Sequence, residues 1–306
     1  MSRVVFMDGK WVPESQASVS IYDQSVSQGA AAFEMTRSFN GHTFMIHEHL
    51  QRLNWSCKEL GIPLPYSTAE LEALCLEAQE RNPHDKGDEH RLMIVVSPGC
   101  PTMYKGLEGT IYGPWVYIAD FPLRYTVKDM GHYFDDGVNL KTSSVYQINS
   151  SAIPPWTKHR SRLHFYMAQR QASPDWALMI NEAGYVTEGP GFNIAYVKER
   201  VLHTTTNQAL MGISLSYAQE CANAVGMKVV TNEMIYPATL YQADEVWVTG
   251  TPFCMLPVGC IDGRLINKGK PGPWYTRTIN EWSDRVGVQI GDQIKAWDGY
   301  AVKQGV

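Results

Sequence analysis

Two dipeptides, Asp8–Gly9 and Asn40–Gly41, do most to limit how this chain can fold. Each sits between apolar runs, and Asp-Gly or Asn-Gly readily supplies the positive φ angles of a two-residue hairpin turn. VVFMDGKWV therefore predicts one hairpin, and AAFEMTRSFNGHTFMI predicts two strands joined at Asn40–Gly41. SVSIYD, between them, alternates with period two and predicts a further strand. The chain opens on strands.

Helix signals follow. Leu50, Leu53, Cys57 and Leu60 fall on one face of a helix expected from His47 to about Gly61, and Gly61-Ile62-Pro63 ends it. Ser67 and Glu70 stand at capping-box spacing before a second helix running to Arg81. HRLMIVVSPG and WVYIADFP read as strands around a long loop near 98–114, and FPLRYTVKD, at about 121–129, reads as the connection between two lobes. Beyond it, strands are expected near 138–144, 176–180, 192–198, 228–232 and 245–249, with helices at about 159–172 and 214–225. The organisation is α/β: a small domain over residues 1–120, a connection over 121–133 and a larger domain over 134–306.

A chain of 306 residues suits one large unit or two lobes. Its net charge of −5 gives no basic footprint, so nucleic acid is not an expected partner. MSRVVFMDGKWVPE lacks the apolar core and cleavage site of a secretory signal. No apolar run approaches the roughly 20 residues that span a bilayer. The six cysteines are scattered without a C-x-x-C pair, which argues for reduced thiols in a cytoplasmic protein.

The chemistry centres on Lys158 and Glu188. A lysine opening a helical run can form a Schiff base with an aldehyde, and a carboxylate on a later strand can hold that aldehyde's ring as a pyridinium. Together they point to pyridoxal 5'-phosphate. Pro154 and Pro155 keep the approach to Lys158 extended, and Leu163, Phe165 and Met167 give the following helix an apolar side. A solvated lysine at a helix start and an exposed turn carboxylate are the ordinary alternatives for the pair. Asn193 is expected to fix the Glu188 segment by local hydrogen bonds.

Phosphate-binding signals stand elsewhere. Gly212 permits a close approach, Ser214 is a natural N-cap, and the amides of that helix start suit a phosphate dianion, although ordinary capping leaves the same pattern. Thr249-Gly250-Thr251 end a strand, where open sheets bind ligands. Arg52 offers a guanidinium fork. His47 and His49 stand two apart and do not share a helix face, so no metal is expected. The third glycine of a dinucleotide loop is missing after Gly189-Pro190-Gly191.

In order, FMDGKWVPESQASVSIYD, AFEMTRSFNGHTFMIHEHLQRL, Lys158, YVTEGPGFNIAYV, ALMGISLSYAQECANAVG and ADEVWVTGTPFCMLPVGCIDG resemble the fold-type IV pyridoxal-phosphate enzymes over nearly the whole chain. That group holds branched-chain, D-amino-acid and (R)-amine aminotransferases and aminodeoxychorismate lyase. The resemblance implies a small α/β lobe, a larger lobe with a barrel-like sheet, and the cofactor between them. It makes Lys158 the Schiff-base lysine and proton shuttle, and Glu188 the partner of the pyridine nitrogen. It gives the phosphate to Arg52, the amides of Ile213 and Ser214, and Thr251. Phe33, Met35, Arg37, Arg91, Pro252 and Phe253 would shape the substrate pocket, with Arg37 or Arg91 either holding an acidic group of the amino acceptor or pairing with a core carboxylate. A homodimer is implied, with residues around 100–113 reaching the partner's pocket.

Four departures weaken a branched-chain assignment: Gln28 and Glu89 stand where that branch has carboxylate-gripping tyrosines, Pro252 removes an amide, and Leu163 replaces a tyrosine that bonds the cofactor phenolate. A glutamate at 89 is expected to repel a substrate carboxylate. The expected activity is amino transfer between a small amino acid or amine and pyruvate or 2-oxoglutarate. An (R)-amine or D-amino-acid transaminase and a lyase on the same scaffold are the alternatives.

Overall fold

The computed structural model describes residues 3–85, 87–205 and 208–300. It resolves into two compact units: residues 1–123 with 157–162, and residues 124–156 with 163–306. Residues 157–162, expected with the carboxy-terminal part, belong to the first unit.

A six-stranded antiparallel sheet forms the first unit, in the order Lys10–Pro13, Val4–Met7, Tyr112–Pro122, His90–Gly99, Ala32–Phe39, His42–Thr43. Both hairpin turns use the left-handed region, with φ of 45° and 79° at Asp8 and Gly9 and of 51° and 78° at Asn40 and Gly41. One sheet face carries Ala32, Leu92, Ile94, Val96, Val116 and Ile118 and packs with Leu50, Leu53 and Cys57 of helix Ile46–Glu59 and Leu71 and Cys75 of helix Thr68–Arg81. Burying a leucine-sized side chain here contributes about 1.5–3 kcal/mol. The capping box forms as expected: Ser67 accepts from the Glu70 amide and Glu70 accepts from the Ser67 amide. The opposite sheet face carries Ala31, Phe33 and Val95, packed with Met35, Met93 and Tyr117.

Two expectations for this unit need correction. SVSIYD forms no strand; the chain turns there into the short helix Gln24–Ser27, which Asp23 caps by accepting from the Ser25 amide at 2.7 Å. Asp23 is buried, and it also accepts from Ser97 Oγ at 2.6 Å and Trp115 Nε1 at 2.8 Å. Polar anchoring, rather than period-two burial, sets this segment. The helix expected from 159 begins instead at Leu163. The Lys158 carbonyl accepts from the Phe33 amide at 3.0 Å, and the Arg160 amide donates to Ala31 O at 2.9 Å. Those groups serve the neighbouring strand and are lost to a helix. Leu163 and Met167 are 69% and 50% exposed, so the apolar side of helix Leu163–Ala172 is Phe165, Ala168 and Ala172.

The second unit is built on a nine-stranded mixed sheet. Seven strands follow in the order Lys228–Val230, Val201–Thr204, Phe192–Lys198, Glu245–Gly250, Cys254–Ile261, Val138–Thr142, Trp176–Leu178. Glu188–Gly189 pairs with Phe192–Lys198, and Arg264–Leu265 with Cys254–Ile261. Helices Ile213–Ala224 and Pro273–Val286 pack together, with Leu215, Ala218, Cys221 and Ala222 buried on the first and Tyr275, Ile279 and Trp282 on the second. All six cysteines are free thiols. Among the described residues no helix is long and apolar enough to cross a membrane.

Candidate active site

In the first unit, the segment bearing Lys158 lies in extended form along strand Ala32–Phe39, pinned by an Ala32–His159 bridge and by the Lys158 amide donating to Ser56 Oγ at 3.1 Å. The lysine is thus fixed through its backbone. Its Nζ stands 4.8 Å from the Phe33 ring centroid, and the guanidinium carbons of Arg160 and Arg162 stand 4.0 and 5.7 Å from that same centroid. Such cation–π contacts are worth about 0.5–2 kcal/mol each. Arg160 and Arg162 escaped the sequence reading, although the basic run KHRSR at 158–162 was their signal. Next to the lysine, burial, with Arg162 and Lys158 adding to it, lowers the His159 pKa to about 4, so its imidazole is neutral at pH 7.

Arg37 and Arg91 face one another across the strand pair, in register. Arg37 is engaged: its Nε donates to Ser38 O at 3.0 Å and its guanidinium covers the Phe39 ring at 4.0 Å. Arg91 differs. It is 7% exposed; among the described residues its Nε and Nη1 have no hydrogen-bond partner, and its Nη2 meets the Met35 sulfur at 3.8 Å. Burial, helped by Arg37, lowers its pKa to about 10, which leaves it cationic at neutral pH. A buried guanidinium with open donors demands an anion. Glu89 does not supply it. The carboxylate of Glu89 accepts from the Asn40 amide at 2.7 Å, the Gly41 amide at 3.1 Å and Ser38 Oγ, so it ties down the 38–41 hairpin. The expected repulsion of a substrate carboxylate by Glu89 gives way to this structural role.

On the helix-packed face, Arg52 meets Glu34 through two bonds, Nε to Oε1 at 2.6 Å and Nη2 to Oε2 at 2.9 Å. His49 Nδ1 lies 2.7 Å from the same Oε2. Burial alone would raise the Glu34 pKa, but the charge of Arg52 and the hydrogen bonds from Arg52 and His49 prevail and hold it far below the carboxylate range. Burial lowers the His49 pKa against the pull of Glu34, so His49 is neutral and donates its Nδ1–H. Neither Glu34 nor His49 was singled out from the sequence. An acid inside an apolar strand, with HEHLQRL following, was the available signal.

In the second unit, Glu188, Asn193 and Thr249 lie in one row across three strands. Glu188 is buried and accepts at Oε1 from Gln147 Nε2 at 2.8 Å and at Oε2 from the Leu210 amide at 3.3 Å. Asn193 Nδ2 donates to Leu210 O at 2.7 Å. Leu210 is therefore held at both backbone groups, which fixes the lead into helix Ile213–Ala224. Gln147 was missed from sequence, its partner being 41 positions away.

Gly212, not Ser214, is the N-cap of that helix, with no side-chain cap, and the Ser216 amide closes the first turn onto Gly212 O at 3.0 Å. A Cβ at Gly212 would collide with Asn193 Oδ1. Ser214 sits inside the first turn, so an uncapped twelve-residue helix presents its first amides, an arrangement that fits a phosphate dianion. Thr251 and Pro252 lie in the turn after strand Glu245–Gly250, with Phe253 buried beyond them. Two positions before Thr251, the Thr249 hydroxyl is buried without a hydrogen-bond partner among the described residues.

Residues 31–261 match the family described as amino-transferase class IV. The chain is 30% identical over 298 residues to a putative branched-chain-amino-acid aminotransferase of Methanocaldococcus jannaschii, covering 94% of this chain and 99% of that protein. It is also 30% identical to a D-alanine aminotransferase of Bacillus licheniformis, covering 88% of this chain and 92% of the relative. Among solved structures, the branched-chain aminotransferase of Thermoproteus uzoniensis with norvaline superposes with a TM-score of 0.81 at 26% identity, over 97% of this chain and 98% of that one. A branched-chain amino acid aminotransferase complexed with N-(5'-phosphopyridoxyl)-L-glutamate superposes with a TM-score of 0.82 at 25% identity, over 97% of each chain.

Proposed function

This chain belongs to the class IV aminotransferases, and on that premise we propose that it moves an amino group between a small apolar amino acid or amine and a 2-keto acid, pyruvate or 2-oxoglutarate. It is a pyridoxal-phosphate-dependent transaminase. The cofactor supplies an electron sink, its protonated ring taking up the electron pair left when a substrate Cα–H bond breaks.

The chain's own residues then divide the work. Lys158 Nζ would anchor the aldehyde at rest and take the proton from the substrate Cα. Glu188, oriented by Gln147 and the Leu210 amide, would keep a proton on the pyridine nitrogen. Each pKa unit it adds there is worth about 1.4 kcal/mol. The amides of Ile213 and Ser214, with Arg52 and Thr251, would hold the phosphate, while Gly212 and Asn193 fix the turn that presents those amides. Phe33, Met35, Pro252 and Phe253 would offer an apolar substrate its contacts, with Arg37 bracing the hairpin beside Arg91.

One observation carries the acceptor: Arg91 is buried, and two of its nitrogens have no hydrogen-bond partner among the described residues. A carboxylate of the keto acid would complete it through a bidentate contact. Arg91→Met should raise the KM for the acceptor that uses this contact by roughly 100-fold, the loss expected for a charged hydrogen bond of about 1.5–3 kcal/mol. Steady-state kinetics with both acceptors checks this. If 2-oxoglutarate uses the contact through its distal carboxylate, pyruvate is nearly unaffected; equal KM values in variant and wild type for both acceptors would remove Arg91 from the site.

The donor is read by a half-reaction screen that follows bleaching of the cofactor's visible band with L-amino acids, D-amino acids and both enantiomers of an arylalkyl amine. Bleaching reversed by pyruvate or 2-oxoglutarate supports the reading, and no bleaching with any donor defeats it. A homodimer is part of the same proposal. Met103, Leu107 and Tyr112 are exposed on the 100–113 segment, as a segment reaching a second subunit requires. Light scattering at a single-chain mass would count against it.

A further inference from the structure

Three side chains at one edge of the first unit's sheet converge without any part in amino transfer. Asp120 lies near the end of strand Tyr112–Pro122, His90 opens strand His90–Gly99, and His84 stands in the loop after helix Thr68–Arg81. His90 Nδ1 is 2.7 Å from Asp120 Oδ2, and His84 Nε2 is 3.2 Å from the same oxygen. The two imidazole centroids are 4.3 Å apart. The side chains of His84, His90 and Asp120 are 5%, 16% and 0% exposed. Among the described residues Asp120 Oδ1 has no hydrogen-bond partner, and the 3.2 Å approach of His84 Nε2 to Oδ2 lacks hydrogen-bond geometry.

A fully buried carboxylate that two imidazole nitrogens approach, and that keeps an open acceptor at Oδ1, is a donor set that suits a cation. We propose that His84 Nε2, His90 Nδ1 and Asp120 bind one divalent transition-metal ion, zinc in particular, as a structural clamp. Bond lengths of about 2.0–2.2 Å in a tetrahedral zinc site place ligand atoms about 3.3 Å apart, which the His84–Asp120 separation already meets. His90 would move outward by about half an ångström, and water would take the fourth position. Two imidazoles with one carboxylate suit zinc over magnesium or calcium, which take oxygen ligands.

The position explains what an ion would do. Asp120 is in register with Leu92, so its side chain belongs to the helix-packed face and not to the face of Arg91. The chain from 82 to 89 is fastened at both ends, by Asn82 to the backbone of Val4 and by Glu89 to the 38–41 hairpin. An ion at His84 would fasten its middle.

The test uses untagged full-length holoenzyme, chelator-treated with its cofactor retained, titrated with zinc and with cobalt(II) chloride. Calorimetry should give one ion per chain, tighter than about 1 μM. Among the described residues no other group of three such ligands comes together, so the stoichiometry is diagnostic. Cobalt should give the visible absorption of a tetrahedral site, and saturating zinc should raise the melting temperature by about 3–5 °C. His84→Ala, in a loop, and Asp120→Asn should each abolish the cobalt band and the thermal shift while leaving the cofactor's absorption unchanged. The proposal is overturned by absence of saturable binding, by binding that survives both substitutions, or by a melting temperature that answers to pH and not to metal, which would make the cluster an imidazolium–carboxylate pair.

Discussion

Lys158→Ala should lower amino transfer by at least about 10⁴-fold while leaving the first unit folded. The prediction separates side chain from backbone. What the segment contributes to structure runs through main-chain groups that alanine keeps: the amide to Ser56 Oγ, the carbonyl to the Phe33 amide, and the flanking bonds of 159 and 160 to the strand. The lost side chain removes one cation over the Phe33 ring, and Arg160 still covers that ring at 4.0 Å. Turnover with the best donor, circular dichroism and a urea titration measure the two consequences independently. Borohydride reduction of the wild-type holoenzyme followed by peptide mapping should place the cofactor on residue 158, with no label in the variant. Residual turnover within tenfold of wild type, or a label on another lysine, would remove Lys158 from its assigned role.

How far the sequence reached depends on how local each feature is. The turns at Asp8–Gly9 and Asn40–Gly41 and the box at Ser67 and Glu70 are legible because backbone angles and capping bonds are settled within a few residues. The stripe Leu50, Leu53 and Cys57 is legible because helical period dictates which side chains share a face. The setting of Lys158 was not legible. Ser56, which accepts its amide, is 102 positions away, and Phe33, whose amide holds its carbonyl, is farther still, so local pattern pointed to a helix start. Glu89 was misread for the same reason. Its acid was visible, but the amides of 40 and 41 that it ties down are 49 and 48 positions away. At Gly212 the Gly-x-Ser pattern favoured Ser214 as the cap, while the identity of the cap was set by the crowding of Asn193 Oδ1 against a glycine.

Glu34→Gln should destabilise the protein by roughly 3–5 kcal/mol at neutral pH, the effect of leaving a buried cation without its counter-charge. Arg52 is 10% exposed and bonded through two nitrogens to a carboxylate that is fully buried, and glutamine keeps the volume and one acceptor while removing the charge. The dependence on pH identifies the cause. In the folded protein the Glu34 pKa is depressed from its ordinary 4.5, so its stabilisation is complete above about pH 4.5 and is lost as pH falls toward the folded value. The difference between wild type and variant should therefore be constant from pH 7 down to about 5 and shrink below 4.5. His49 acts in a higher window. Its pKa is depressed below 6.5, so as pH falls past 6.5 the unfolded chain takes up a proton the folded chain refuses, and stability declines in both proteins. Urea midpoints measured from pH 7.5 to 3.5 test both statements. Parallel curves that stay equally far apart below pH 4.5 would show that the Glu34 charge is not what holds Arg52. A variant as stable as wild type at pH 7 would show that the pair contributes nothing net. If the pair does hold Arg52 in place, Glu34→Gln should also release pyridoxal phosphate more readily on dialysis, and Arg52→Met should do the same without changing the slope of stability below pH 4.5 in the Glu34→Gln background.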